Sequence, residues 1–142
     1  MNSRLDNLQA AILQVKLRHY PKDIEQRRRI ARIYNERLKH LEDMTLPPGP
    51  DEPGPYFDVY QNYEVESGHR DKLREYLKKR GIGTIIQWNG TPVHQFKGLG
   101  LPEYDLPKTD RFFQRCFLLP MNTSLSDEDV RYVCDTIVSF YA

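Results

Sequence analysis

The sequence predicts an α+β domain, in which a long N-terminal helical pair precedes a small, mostly antiparallel sheet with helices packed on it. Three observations predict this. Apolar residues recur at helical spacing from Leu5 to Leu41. A proline- and glycine-rich segment, Pro47 to Pro55, then ends the helical part. Beyond it, short apolar and aromatic runs alternate with helical segments, as in a sheet with helices against it.

Leu5, Leu8, Ile12 and Val15 recur at steps of three and four, predicting an amphipathic helix over 5–18. Pro21 breaks that pattern and suits the first turn of a second helix, where its missing N–H costs nothing. That helix runs to about Leu41. Ile24, Ala31, Tyr34, Leu38 and Leu41 form its apolar stripe, widened by Ile30 and Ile33. The connection that follows holds five of the ten prolines, which excludes a helix or a central strand. Tyr56 to Val65 reads as a strand with Val59, Tyr63 and Val65 on one face. Asp71 to Arg80 reads as a short helix with Leu73, Tyr76 and Leu77 inward, ended by Gly81 as a left-handed cap. Ile82 to Trp88 reads as a second strand, and 89–106 as a long loop of the kind that more often carries function. Thr109 to Arg115 is helical and Cys116 to Leu119 a short strand. Ser126-Asp127-Glu128-Asp129 starts a last helix, with Val130, Val133, Cys134, Ile137 and Tyr141 as its buried stripe.

A chain of 142 residues suits one domain. Its 21 basic and 20 acidic residues leave no footprint for nucleic acid or an anionic membrane. Arg27-Arg28-Arg29 lies within a helical pattern near Glu25 and Glu36 and reads as a solvated face. No apolar run approaches the roughly 20 residues of a membrane span, and the N-terminus lacks the form of a signal peptide. Cys116 and Cys134 stand apart in apolar stretches, as buried thiols do, and fit a reducing, cytoplasmic setting.

No residue pattern marks a self-sufficient active site. No serine sits in a GxSxG elbow, and no glycine loop leads into a lysine. The histidines, His19, His40, His69 and His94, have no spacing for a metal. His19 and His40 are placed near helix C-termini, where a partly charged imidazole complements the dipole; His69 sits in a polar turn. His94 differs, because Trp88-Asn89-Gly90-Thr91-Pro92-Val93-His94-Gln95-Phe96 offers donors, acceptors and stacking rings together. On residue chemistry alone, Trp88, Val93 and Phe96 anchor this loop and His94 is a surface residue.

An ordered series of segments resembles the DegT/StrS family of aminotransferases. Asn2-Ser3-Arg4-Leu5-Asp6-Asn7-Leu8-Gln9-Ala10-Ala11 resembles the family's N-x-R-x-[DE]-x-[LI]-Q-A-A segment. Arg27-Arg28 with Ala31 and Tyr34, Tyr60-Gln61-Asn62-Tyr63, Gly81-Ile82-Gly83-Thr84, Thr91-Pro92-Val93-His94-Gln95 and Leu118-Leu119-Pro120-Met121-Asn122 follow in family order. Ser126-Asp127-Glu128-Asp129 closes a series that covers essentially the whole chain. The resemblance implies the small, C-terminal domain of the aspartate-aminotransferase fold type over 1–142, with interdomain helices at 1–41 and an α+β layer at 56–142. It implies transfer of an amino group, usually from glutamate, to a keto group of a nucleotide-linked sugar. Pyridoxal 5'-phosphate carries the nitrogen, in homodimers with sites at the subunit interface. Asn2 matches the asparagine that reaches the cofactor phosphate across the dimer, and Arg4 the arginine near the partner's site. His94 matches the histidine of the P-x-H loop at the active-site mouth, which makes it, with Trp88 and Asn89, the expected substrate contact. Gln87-Trp88 replaces the His-Tyr pair of many members, which leaves the identity of the sugar open.

The Schiff-base lysine, the aspartate on the pyridine nitrogen and the ring that stacks on the cofactor belong, by the same resemblance, to a large domain preceding Met1. The eight lysines here lie outside any matching motif. The expectation is therefore a fragment that carries no catalytic residue of its own, binds no metal and is inactive alone. A stand-alone binding or structural domain that has lost catalysis is the alternative.

Overall fold

The computed structural model describes residues 6–142, and its first helix departs from the predicted pair. Helix α1 runs unbroken through Asn7–Leu38, 32 residues and about 48 Å long. Asp6 caps it, accepting from the Leu8 N–H at 3.1 Å. Pro21 lies inside α1 rather than at the start of a second helix. Proline removes a single i→i−4 bond, and strong helix formers on both sides carry the helix past it. His19 is consequently an exposed mid-helix residue, not a C-terminal one, whereas His40 does follow the α1 terminus.

The two ends of α1 meet different surroundings. Ile30, Ala31, Tyr34 and Leu38 are buried, each fully out of contact with solvent. Leu8, Ile12 and Val15, the described part of the first predicted stripe, stay 68%, 50% and 54% exposed. Leu5 lies outside the described residues. The inner third of α1 packs on the last helix, α4 (Asp127–Tyr141), while among the described residues nothing covers the outer half.

The sheet has three antiparallel strands in the order β1 (Met44–Thr45), β2 (Tyr63–Ser67) and β3 (Cys116–Leu119). Tyr63 pairs with Leu119 and Glu66 with Cys116, and Met44 pairs with Ser67. Tyr63, Val65 and Ser67 are buried while Glu64 and Glu66 are half-exposed, the alternation of a strand with one covered face. Two expected strands are cut short. The 56–65 strand begins only at Tyr63, because an Asp58 carboxylate caps the Tyr60 N–H at 2.7 Å and Tyr60 turns to φ 50°. The 82–88 strand reduces to one bridge, Ile85 to Leu118, after which the chain turns away. Strand β1 had no signal beyond its two residues.

Helices α2 (Arg70–Lys78) and α3 (Pro107–Arg115) occupy the predicted places within a residue or two. Gly81 at φ 77° supplies the left-handed cap after α2. Ser126 and Asp129 form a full capping box at α4. His69 is exposed at the start of α2. No helix among the described residues is long and apolar enough to cross a membrane.

The arginine run is not a solvated face. Arg27 donates to the carbonyls of Tyr60 and Gln61, and Arg28 to those of Pro50 and Asp58. Arg28 also lies 4.3 Å over the Phe57 ring, and Arg29 lies 3.1 Å from Asp127 of α4. The proline-rich connection has no ladder to satisfy its carbonyls, and the guanidinium forks of α1 serve instead.

A polar cluster ties the two ends of this layer together. Asp43 Oδ2 accepts from Ser67 Oγ, the Gly68 N–H and Tyr141 Oη, each at 3.0 Å. Burial alone would raise the Asp43 carboxyl, but these donors, with His69 nearby, hold it below its ordinary value. Its folded-state value thus lies below its unfolded one. The stability it contributes is present above the ordinary carboxylate value of about 4 and is lost as pH falls toward the lower folded value. Asp43→Ala is expected to cost roughly 1–2 kcal/mol at neutral pH and to flatten the acid limb of stability. Urea unfolding midpoints of both proteins across the acid range check this.

Candidate functional site

The segment that leaves the Ile85–Leu118 bridge is the most distorted backbone among the described residues. Trp88 (φ 53°, ψ 29°) and Asn89 (φ 53°, ψ 25°) are both left-handed, and Gly90 follows at φ 71°. The Thr91 N–H closes this turn on the Trp88 carbonyl at 3.0 Å. Glycine suits the third position, but tryptophan is costly at the first. Trp88 nevertheless remains 73% exposed. Asn89 is exposed beside it. A strained turn that gains no burial for its largest side chain is a mark of a functional segment.

The expected anchors of the loop are not its anchors. Trp88, Val93 and Phe96 are exposed, whereas Pro92 is fully buried. His94 is not a surface residue: its side chain is only 7% exposed, with Nε2 3.1 Å from Asp110 Oδ1. Gln95 Nε2 donates to the same oxygen at 2.7 Å. His94 Nδ1 is buried with no hydrogen-bonding partner among the described residues. Beside Gly90 of the same loop, Arg70 donates to the Phe113 carbonyl at 2.6 Å and so ties α3 to α2. The structure therefore puts Trp88, Asn89 and His94 on one short loop held against α3. Asp110 was missed in the sequence, because Pro107-Lys108-Thr109-Asp110 reads as an ordinary acidic first turn of a helix.

The described residues do not fit the cofactor by themselves. All eight lysines are solvent-exposed, with no enclosing apolar pocket to lower the pKa of an amine. Asn2 and Arg4, expected near the cofactor, fall outside the described residues. Burial pushes the Cys116 thiol up to about 11 and the Cys134 thiol to about 12, so neither is a nucleophile at neutral pH. Among the described residues no group of three or more His, Cys, Asp or Glu side chains could hold a metal.

The fold is one that solved aminotransferase structures share. A Brucella abortus aminotransferase of known structure matches 100% of this chain and 37% of its own, with a TM-score of 0.87 and 32% identity. The Streptomyces venezuelae DesV structure, solved in complex with a ketimine intermediate, matches 99% and 38%, with a TM-score of 0.88 and 30% identity. Residues 1–138 match the DegT/DnrJ/EryC1/StrS aminotransferase family, and the chain belongs to it. In sequence it is 35% identical to a pleiotropic regulatory protein of Geobacillus stearothermophilus, over 99% of this chain and 38% of that one. It is 32% identical to the dTDP-3-amino-3,4,6-trideoxy-alpha-D-glucose transaminase of Streptomyces venezuelae, over 96% and 36%. The chain thus spans little more than a third of the length of the curated relatives it matches.

The strain at the loop can be measured. A non-glycine residue in the left-handed region costs about 1–2 kcal/mol, and glycine returns part of that gain as unfolded-state entropy. Trp88→Gly is therefore expected to raise unfolding free energy by up to about 1 kcal/mol, since little packing is lost at an exposed ring. A lowered denaturation midpoint would show that the turn is unstrained.

Proposed function

We propose that this chain is the C-terminal domain, 1–142, of a pyridoxal-phosphate-dependent transaminase acting on a nucleotide-linked sugar, with glutamate as the amino donor. The observation that carries the reading is the end-to-end match of the chain to one part of sugar transaminases. Relatives named for dTDP-linked and UDP-linked sugars align over nearly all of it. When bound, the cofactor supplies the electron sink for moving nitrogen between donor and sugar. The roles of this chain are to present Trp88, Asn89 and His94 to the sugar, Asn2 to the cofactor phosphate and Arg4 to the cofactor site. An amide N–H and a guanidinium are both suited to phosphate oxygens. The uncovered apolar face of α1, with Leu8, Ile12 and Val15, is the surface that a large domain and a second subunit would bury.

On this reading the chain is inactive alone. Incubation with pyridoxal 5'-phosphate followed by borohydride is expected to label the exposed lysines weakly and without preference, as mass spectrometry of tryptic peptides would record. One lysine labelled to completion would refute it. In the assembled transaminase, His94→Ala is expected to raise KM for the nucleotide sugar about three- to tenfold with kcat less affected, the loss of one hydrogen bond. An unchanged KM would remove His94 from the sugar site.

A further inference from the structure

A left-handed turn at Trp88 and Asn89 keeps its shape only where neighbouring groups over-determine it. The chain enters that turn from the Ile85–Leu118 bridge on the sheet. It leaves through Gln95, which donates to Asp110 of α3 at 2.7 Å. The shape of the turn therefore depends on where α3 lies relative to the sheet. Apolar burial does little to fix α3, since none of its residues is buried and Phe112 and Phe113 are only half-buried. Polar ties must supply the position, and the shortest between α3 and the body of the domain is made by Arg70 of α2. Its Nη1 donates to the Phe113 carbonyl at 2.6 Å, whereas Arg115 reaches the Asp43 carbonyl at 3.4 Å and Glu66 at 3.6 Å. The Phe113 carbonyl lies in the last turn of α3, and the N–H four residues on belongs to Phe117 in β3, so no helical N–H reaches it. Gly90 lies against this same bond. A β-carbon there would stand 3.8 Å from the Phe113 oxygen and 3.9 Å from Arg70 Nη1.

We infer that Arg70 is a positioning residue for the sugar loop: it seats α3 against the Trp88–Asn89–Gly90 turn and so fixes where Trp88, Asn89 and His94 stand. This rests on the reading of those three residues as sugar contacts and adds the group that holds them in place. An arginine suits the task. Nε and Nη2 donate to Asp71 at 2.8 and 3.3 Å, which leaves Nη1 for the carbonyl. The Arg70 side chain is only 16% exposed, so its charge-assisted bond to Phe113 is shielded from water. Asp71 is 75% exposed, and an ion pair with so open a carboxylate adds little stability. Its part is to aim the guanidinium. A lysine carries one nitrogen in place of the fork and cannot hold carboxylate and carbonyl in the same fixed plane.

Hydrogen exchange in the 15N-labelled chain reads the turn locally. The Thr91 N–H bonds the Trp88 carbonyl and the Gln95 N–H the Pro92 carbonyl, each at 3.0 Å, and the amide of buried Ile137 in α4 is the control. Arg70→Ala is expected to speed exchange at Thr91 and Gln95 by about fivefold or more with Ile137 unchanged. Arg70→Lys should do so less, and Asp71→Asn least. Unchanged exchange at Thr91 and Gln95 overturns the inference. Equal acceleration of all three amides overturns it as well, because Arg70 would then be a general stabiliser. One check needs no variant to fold: in the unaltered chain the Arg70 Nε–H should exchange several-fold slower than that of exposed Arg131, and equal rates overturn the inference. In the assembled transaminase, Arg70→Ala should raise KM for the nucleotide sugar about threefold or more with kcat less affected. An unchanged KM in Arg70→Ala beside a raised KM in His94→Ala overturns the inference. An unchanged KM in both, with exchange at Thr91 and Gln95 accelerated, instead refutes the sugar reading while the seat of the turn stands.

Discussion

The structure depends on the burial of Tyr34. Its ring is wholly inside, 4.8 Å from that of Tyr63 on β2, and burial pushes its hydroxyl well above the ordinary tyrosine range. A buried hydroxyl needs a partner, and Tyr34 Oη donates to the Pro120 carbonyl at 2.8 Å. This bond links α1 to the end of β3. Tyr63 repeats the device by donating to Asn35 Oδ1 at 2.9 Å. Strand β3, positioned in this way, offers Leu118 to Ile85, and the bridge sets where the chain turns into the strained Trp88–Asn89–Gly90 segment. The path from core to candidate site is thus a short series of hydrogen bonds, each required by a buried polar group.

The same requirement explains the arginine run. The connection from Pro47 to Asn62 has five prolines without an N–H and almost no ladder to satisfy its carbonyls. Arg27 and Arg28 satisfy four of those carbonyls from one turn of α1. Arg32 adds a bidentate pair with Asp51, 2.6 and 3.1 Å. These residues are attachments of a connection that otherwise has little to hold it, which is why a cluster of like charge is tolerated there.

At the loop, stability and function pull apart. The left-handed turn leaves a large ring in solvent, and His94 sinks inward with one nitrogen unpaired. Both are unfavourable for an isolated fold, and on the proposed reading the substrate would offset them. The uncovered half of α1 belongs to the same description, since its apolar residues are exposed only while nothing lies against them.

Helices α2 and α4 were legible from periodicity, because each pairs an apolar stripe with a local start or stop signal. Gly81 and the Ser126–Asp129 box are such signals, acting within a few residues of themselves. The series of family-like segments also lay in the sequence, including Pro92 and His94. What could not be read locally was decided by contact. Pro21 looked like a boundary, yet one missing hydrogen bond did not outweigh the helix on either side. The 56–65 and 82–88 strands looked complete, yet strand length depends on a partner edge, and β3 offers only four residues. Arg27 and Arg28 looked solvated because their carbonyl partners lie 22 or more residues away in the chain. Asp110 looked like a helix start, and only the fold sets it beside His94. The sequence by itself therefore determined the positions of the three shorter helices, the Gly81 and Ser126 caps and the family pattern, all of which rest on short-range spacing. The tertiary structure alone decided strand extent, the partners of the arginines and the His94–Asp110 pair, because each depends on groups brought together from distant parts of the chain.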